Sequence, residues 1–324
     1  MVTTDLMQCY DFNDAHDETE PVQIWFQDSS LGRVLFVVLY TLACRWAKCS
    51  SCNLPSTSSS RHVGFHALMQ QTDKVFDDCE VLRQRADIRQ LILSNNGSVL
   101  DEATFSTTAL LYFVAKANIT FPHLAVLTME TRPEYVDVAE LEMLARALRE
   151  GKTATELEIA VGFEAYDNRI RNKVFKKGLS LRTLEELAEK IAPYGFRLKC
   201  YFMQKPVPGM SDDDAVRDVE HGIDYLDQLA SRFGLSINLH LNPTYVARGT
   251  SLQHAFLAGE YSPPRLLDVA RAVKYARGKK LSVYVGLSDE GLAVPGGSFL
   301  RQEDELIREI LARFNVSQDY DALP

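Results

Sequence analysis

The sequence predicts an α/β fold built as a parallel (β/α) barrel, complete or partial. Three observations carry that prediction. Between residues 34 and 285, runs of five to eight β-branched and apolar residues alternate with amphipathic helical stretches, the pattern of right-handed βαβ units. There are six or seven such units, more than a short open sheet uses. The residues after each run are polar or glycine-rich, as they are where a barrel carries its chemistry, at the carboxyl ends of its strands.

Taken in order, residues 1–20 are rich in Asp and Glu and poor in apolar side chains, and read as a flexible acidic arm. Residues 22–26 (VQIWF) read as a short strand ahead of a turn at Ser29-Ser30-Leu31-Gly32, and 34–41 as the first core strand. After the loop NLPSTSSSR comes a helix over about 63–82. Strands follow at 88–93, 123–128, 156–163, 197–203, 236–241 and 281–285. Helices at 103–118, 138–150, 181–192, 213–233 and 264–275 separate them, and a last helix lies near 302–314. The expected division is an arm (1–20), a barrel domain (21–285) and a C-terminal extension (286–324) whose helix packs on the barrel.

Apolar residues make up 46% of the 324 and charged residues 24%, the balance of a globular chain with a sizeable core. The longest apolar run, near 34–44, is about half of the ~20 residues a membrane span needs. The acidic, polar start is unlike a signal or transit peptide, so a cytoplasmic location with reduced thiols is expected. A formal net charge of −9 argues against non-specific nucleic-acid binding over the whole surface.

The first core strand leads into VLFVVLYTLACRWAKCSSC, with cysteines spaced Cys44-x4-Cys49-x2-Cys52. Three thiolates on one short loop can hold three irons of a cubic iron–sulfur cluster and leave the fourth iron open. Zinc with a fourth ligand from His62 or His66 is the alternative metal reading. A structural disulfide fits poorly with six cysteines in so long a chain. Cys9, Cys79 and Cys200 are isolated from one another.

The other strand ends carry Ser94-Asn95-Asn96-Gly97-Ser98, Met129-Glu130-Thr131-Arg132-Pro133-Glu134, Gly162-Phe163-Glu164-Ala165-Tyr166-Asp167, Gln204-Lys205-Pro206-Val207-Pro208-Gly209 and Asn242-Pro243-Thr244. A polar turn explains any one of these. All of them together at strand ends indicate a site.

On the cysteine triplet and on the stretches NNGSVLDE, METRPEYV, GFEAYDNRIR, KKGLSLRTL, LNPTYVARGT and GEYSPPRL, the chain resembles the radical S-adenosylmethionine superfamily. It is most similar to the branch of the elongator catalytic subunit and the methylthiotransferases, and nearest in look to the radical subunit of archaeosine synthase. The resemblance spans roughly residues 34–285 and implies a (β/α)6-type core. It also implies a [4Fe–4S] cluster on Cys44, Cys49 and Cys52, with S-adenosylmethionine chelating the open iron. Asn96, Gly97 and Ser98 would meet the methionyl amino group through their backbone, and Glu130 and Glu164 the ribose hydroxyls. Arg132 falls in the same set, and Lys176 or Lys177 would meet the methionine carboxylate. Glu164 has another reading, as a helix cap or a partner of Arg169. Two departures are plain: four residues separate the first two cysteines where the family has three, and Ser51 stands where an aromatic usually precedes the last, with Trp46 inside the loop instead.

The activity implied is reductive cleavage of S-adenosylmethionine to methionine and a 5′-deoxyadenosyl radical that takes a hydrogen from a substrate. That substrate is a small molecule or a modified tRNA nucleoside, and the electron donor a flavodoxin or ferredoxin. Arg169, Arg171, Lys173, Lys176, Lys177 and Arg182 form a basic cluster able to meet phosphates, or a solvated helix balanced by Glu185, Glu186 and Glu189. There is no second cysteine triplet to serve as a sulfur-donating cluster. The alternative function is a catalytically inactive partner protein that binds a cluster or zinc.

Overall fold

The β-branched residues around the Ser29–Gly32 turn close first into a hairpin. In the computed structural model, which describes residues 10–324, β1 (Gln23–Ser29) and β2 (Gly32–Val38) run antiparallel, with Ser29 opposite Gly32. From β2 onward every neighbour is parallel. β3 (Ile88–Ser94), β4 (Val126–Glu130), β5 (Glu156–Glu164), β6 (Arg197–Gln204), β7 (Ile237–Pro243) and β8 (Leu281–Val285) pair in chain order. A parallel sheet whose order never reverses winds in one sense, as barrels do. Among the described residues β1 and β8 share no ladder, so the barrel is partial.

The helices are α1 (Phe65–Asp77), α2 (Cys79–Gln84), α3 (Thr107–Thr120), α4 (Val138–Leu148), α5 (Leu181–Ile191), α6 (Asp212–Phe233), α7 (Ser251–Leu257), α8 (Leu266–Lys274) and α9 (Glu305–Ser317). Their apolar stripes, such as Leu184, Leu187 and Ile191 of α5, pack with the outward strand residues Leu93, Leu127, Val161, Phe202 and Leu239 in one core. The helix expected over 63–82 is broken at Asp78. Its carboxylate accepts from the N–H groups of Glu80 and Val81, starting a second helix in place of continuing the first.

The inward residues are different in kind. Gln90 and Thr128 hydrogen-bond Glu158, Lys199 approaches Glu158 at 3.5 Å and donates to Asn238 (2.6 Å), and Asn238 donates to Ser282 (2.9 Å). One polar side chain from each of β3 to β8 thus links across the amino-terminal half of the barrel, each satisfying the next, as burial demands.

At the open edge α9 stands in for a missing strand. Asn315 accepts from Val285 N (2.8 Å) and donates to Val285 O (2.9 Å), and Gln318 does the same at Val283 (3.0 and 2.8 Å). Two side-chain amides therefore occupy the ladder groups that β8 would otherwise expose. At the other terminus the expected arm differs from the structure. Residues 1–9 lie outside the described residues, but Asn13 O accepts from Tyr40 Oη (2.7 Å), Asp14 from Ser60, and Glu18 O from Gln71 (2.7 Å). Residues 13–20 are tied to the barrel because Tyr40 just past β2, Ser60 before α1 and Gln71 on α1 offer donors that their backbone and Asp14 accept. Among the described residues no helix is long and apolar enough to cross a membrane.

Candidate functional site

The loops after β2, β3, β4, β5, β7 and β8 turn toward one cavity of about 310 Å3. The loop after β2 crosses over it, and its path is fixed at Trp46. The indole Nε1 donates to Lys176 O (2.9 Å), and the Arg132 guanidinium lies 4.4 Å from the ring centroid. The ring rests on Gly178, where φ is +67° and a Cβ would come within 2.2 Å of it, so conformation and packing both call for glycine. Further on, Ser50 N donates to Phe175 O (2.9 Å), Ser50 Oγ to Val174 O (2.9 Å), and Ser51 Oγ to Pro206 O (2.7 Å). Ser51 is buried. It replaces an aromatic with a hydroxyl that anchors the loop, while Trp46 supplies the aromatic from a different position.

Cys44, Cys49 and Cys52 form no disulfide among the described residues, and all three line the cavity. Burial pushes the Cys49 thiol up to about 11 and raises Cys52 as well, so a thiolate there calls for a metal to hold it. Among the described residues no three His, Cys, Asp or Glu are grouped to hold a metal ion. His62 points to Ala103 O (3.3 Å), His66 lies against Phe65, and neither lines the cavity. Three cysteines on one loop match the ligand number of a cluster that takes each cysteine on its own iron and leaves the fourth iron open.

Asn96 and Gly97 reach the cavity. Asn96 has φ +57° and its amide donates to Thr57 Oγ1 (2.7 Å). A Cβ on Gly97 would sit 3.2 Å from Cys44 Cα, so this turn abuts the cysteine loop. Ser98 differs from expectation: it is buried beneath the turn, outside the cavity lining, where its hydroxyl accepts from Arg132 N (3.1 Å). Glu130 lines the cavity and accepts from Tyr201 Oη, and burial raises its carboxyl. Arg132 lines it too, and donates to Lys177 O (3.0 Å).

Glu164 and Lys177 are paired at 2.7 Å with side chains only 12% and 14% exposed. Burial works against the Lys177 charge, but Glu164 and Cys49 outweigh it and its ammonium is held above the usual range. Gly162 makes room for the pair, since a Cβ there would lie 2.2 Å from both charged atoms. Of the two lysines named from sequence, Lys177 lines the cavity, whereas Lys176 gives its carbonyl to Trp46. Ala47, Asn96, Glu164 and Glu290, non-glycine residues with positive φ, all line this cavity, and such backbone strain gathers at functional sites.

The basic cluster is reduced by the fold. Arg171 is fully buried in a π-helical turn at Arg169–Val174, donating to Leu179 O, Ala165 O and Tyr166 O. Lys177 faces Glu164, and Arg182 pairs with Glu186 (2.8 Å). Arg169 and Lys173 remain exposed. Cys200 packs in the main core, and Cys79 is exposed at the start of α2.

The strand end at Asn242, named from sequence, lines the cavity, whereas the sequence reading missed Trp25, Phe36, Tyr201, His240, Tyr245 and Glu290, which line it too. A signal was present in β7, INLHLNP. Ile237, Leu239 and Leu241 are buried in the core, while the alternate positions Asn238, His240 and Asn242 are polar and face inward.

No family model matches the chain. It is similar to an uncharacterized protein of Methanocaldococcus jannaschii, 24% identical over 319 residues, 95% of this chain and 84% of that one. It is 26% identical over 265 residues to archaeosine synthase subunit beta of Methanosarcina acetivorans, 80% of this chain and 72% of that protein. In structure it is similar to Elp3 of Methanocaldococcus infernus, with a TM-score of 0.53 and 17% identity, covering 78% of this chain and 59% of that chain. Streptococcus suis SuiB bound to S-adenosylmethionine gives 0.52 and 13%, covering 85% and 55%. The chain thus spans rather more than half the length of these two, and at such identities they establish the fold. Relatives and neighbours agree with the Elp3-like radical S-adenosylmethionine relationship that the motifs resemble.

Proposed function

We propose that the chain holds a [4Fe–4S] cluster on Cys44, Cys49 and Cys52 and uses S-adenosylmethionine in a radical reaction. What supports this is that three cysteines outside any disulfide line one cavity, at the carboxyl ends of the strands, together with Asn96, Glu130, Glu164 and Lys177. When bound, the cluster supplies the electron that cleaves the sulfonium into methionine and a 5′-deoxyadenosyl radical, which takes a hydrogen from the substrate. The protein's part is orientation and exclusion of water. The backbone at Asn96 and Gly97 receives the methionyl amino group, and Arg132 and Lys177 face its carboxylate. Glu130 and Glu164 accept hydrogen bonds from the ribose hydroxyls, as a carboxylate does well. The substrate we infer is a modified tRNA nucleoside, in keeping with relatives named archaeosine synthase subunit beta, with a flavodoxin or ferredoxin as reductant.

Protein reconstituted with iron and sulfide without oxygen is expected to be brown, with about four irons per chain. Dithionite and S-adenosylmethionine then release methionine and 5′-deoxyadenosine, read by chromatography. Cys44→Ala, Cys49→Ala and Cys52→Ala each abolish colour and product, and Cys79→Ala does neither. Stoichiometric zinc with no colour after reconstitution overturns the proposal.

A further inference from the structure

One side of the cavity has no role in the reading above. His240 stands on β7 level in register with Tyr201 on β6 and Tyr284 on β8, and its ring lies between theirs with centroids 4.8 and 4.7 Å away. It lines the cavity and is 6% exposed, yet Nδ1 has no hydrogen-bond partner among the described residues. A buried polar group left unpaired is the exception in folded proteins and asks for an explanation. Nε2 faces the place where Gly286 has no side chain: a Cβ there would lie 3.4 Å from Nε2 and 2.2 Å from Asn242 Oδ1. Asn242 Oδ1 therefore occupies the space a side chain at Gly286 would take, and it lines this side of the cavity together with the imidazole.

The same cavity also carries acidic side chains and an aromatic face. Glu290, on the loop after β8, accepts from Tyr245 Oη at 3.3 Å; burial and the nearby Glu130 push its carboxyl up to about 7, and no basic side chain among the described residues pairs with it. Glu130 adds a second carboxylate to the same cavity. From the hairpin come Trp25 and Phe36, stacked with centroids 4.0 Å apart and planes 12° from parallel. An acid without a cation, in one cavity with a flat aromatic surface, suits a positive group on an apolar stem, which in turn favours the ionised acid.

We propose that Trp25, His240, Asn242 and Glu290 form the substrate subsite, and that it takes a substrate bearing a protonated primary amine. The ammonium goes to Glu290 and Asn242 Oδ1, its stem lies along Trp25, and His240 meets a polar group of the substrate core. This rests on the reading of the cavity as the active site and names the chemistry of what enters it.

The probe is benzylammonium, compared with benzyl alcohol as its uncharged counterpart, titrated into the full chain and followed by ligand-observed NMR. Benzylammonium is expected to bind at least about tenfold more tightly than the alcohol, the gain a hydrogen bond to a charged partner brings. Glu290→Gln removes that preference, and Trp25→Ala weakens both probes. Equal binding of the two probes to the wild type, no binding of either, or an unchanged preference in folded Glu290→Gln overturns the proposal. If Glu290→Gln does not fold, the wild-type comparison still decides. The measurement uses neither cluster nor S-adenosylmethionine. A negative result therefore leaves the cluster proposal standing, and a colourless protein that still prefers the amine leaves this one standing.

Discussion

Glu164 shows how one residue changes meaning once its neighbours are known. As a strand-end acid it was expected to sit free for a ligand, or to cap a helix or pair with Arg169. In the structure it holds Lys177 at 2.7 Å in a nearly buried pair, so its substitution touches stability as well as binding. Removing one member of a buried pair strands the other charge and costs about 3–5 kcal/mol, whereas replacing both is far milder. Glu164→Gln is therefore expected to lower the melting temperature, and Glu164→Gln with Lys177→Met to recover most of the loss. The affinity for S-adenosylmethionine tells a different story. Because Lys177 is itself placed on the methionine carboxylate, the reference is Lys177→Met alone: if Glu164 also takes ribose hydroxyls, the double variant binds about tenfold to a hundredfold more weakly than that single variant, since hydrogen bonds to a charged acceptor are worth about 1.5–3 kcal/mol. Calorimetric titration of the reconstituted proteins beside their melting curves separates the two roles. Affinity in the stable double variant equal to that of Lys177→Met removes Glu164 from ligand binding.

At the scale of elements, the strands were legible because their β-branched runs are short and bounded by turn residues; all eight lie where expected to within a few residues. Three features were not. The break at Asp78 is hidden by apolar periodicity that runs through both α1 and α2, although Asp78 is a strong cap. The π-helical turn at Arg169–Val174 looks polar because its anchor is a buried arginine satisfied by three carbonyls. The helix α7 has a readable start, Thr250 capping Gln253 N, but it is short and lies among Gly and Pro residues, and it is not among the helices expected from the sequence. The inward layer of the site was obscured for a related reason: parallel strands are expected to be apolar on both faces, so alternating polar residues in β7 drew no attention. The least legible contact is that of α9 with β8, where two amides replace a strand. Asn315 is 3% exposed and satisfies both ladder groups of Val285. Asn315→Ala leaves a buried N–H and C=O unpaired and is expected to cost about 2–4 kcal/mol, read from the shift of the urea midpoint. A loss below ~1 kcal/mol would mean that water reaches that edge and the clasp is incidental.

Across the whole molecule, the cysteine loop is the tie between loops that the barrel keeps apart. Trp46, Ser50 and Ser51 hydrogen-bond Lys176, Val174, Phe175 and Pro206, on the loops after β5 and β6, and Ser251 at the start of α7 donates to Ser50 O (3.2 Å from N, 3.1 Å from Oγ). The Glu164–Lys177 pair and the Arg132–Lys177 contact extend the tie to β4 and β5. These bonds lie at the rim, where local opening is easiest, whereas the polar network of Glu158, Lys199 and Asn238 sits at the far end of the barrel and shares none of them. Filling the thiols with iron and sulfide fixes the centre of the tie, so its effect is expected to spread along the bonds. Amide exchange should slow at 170–178, 206–210 and 250–254 as well as at 44–52, while the strand starts at 197–199 and 237–239 keep their rates. Mass-spectrometric exchange on the same preparation with and without iron and sulfide makes the comparison. Protection confined to 44–57 would show that the loop binds metal on its own and that the stitching to the other strand ends carries no coupling. A slowing that includes 197–199 equally would point to global stabilisation by ligand binding. Protection that follows the hydrogen bonds of Trp46, Ser50 and Ser51 identifies the cysteine loop as the element that closes the site.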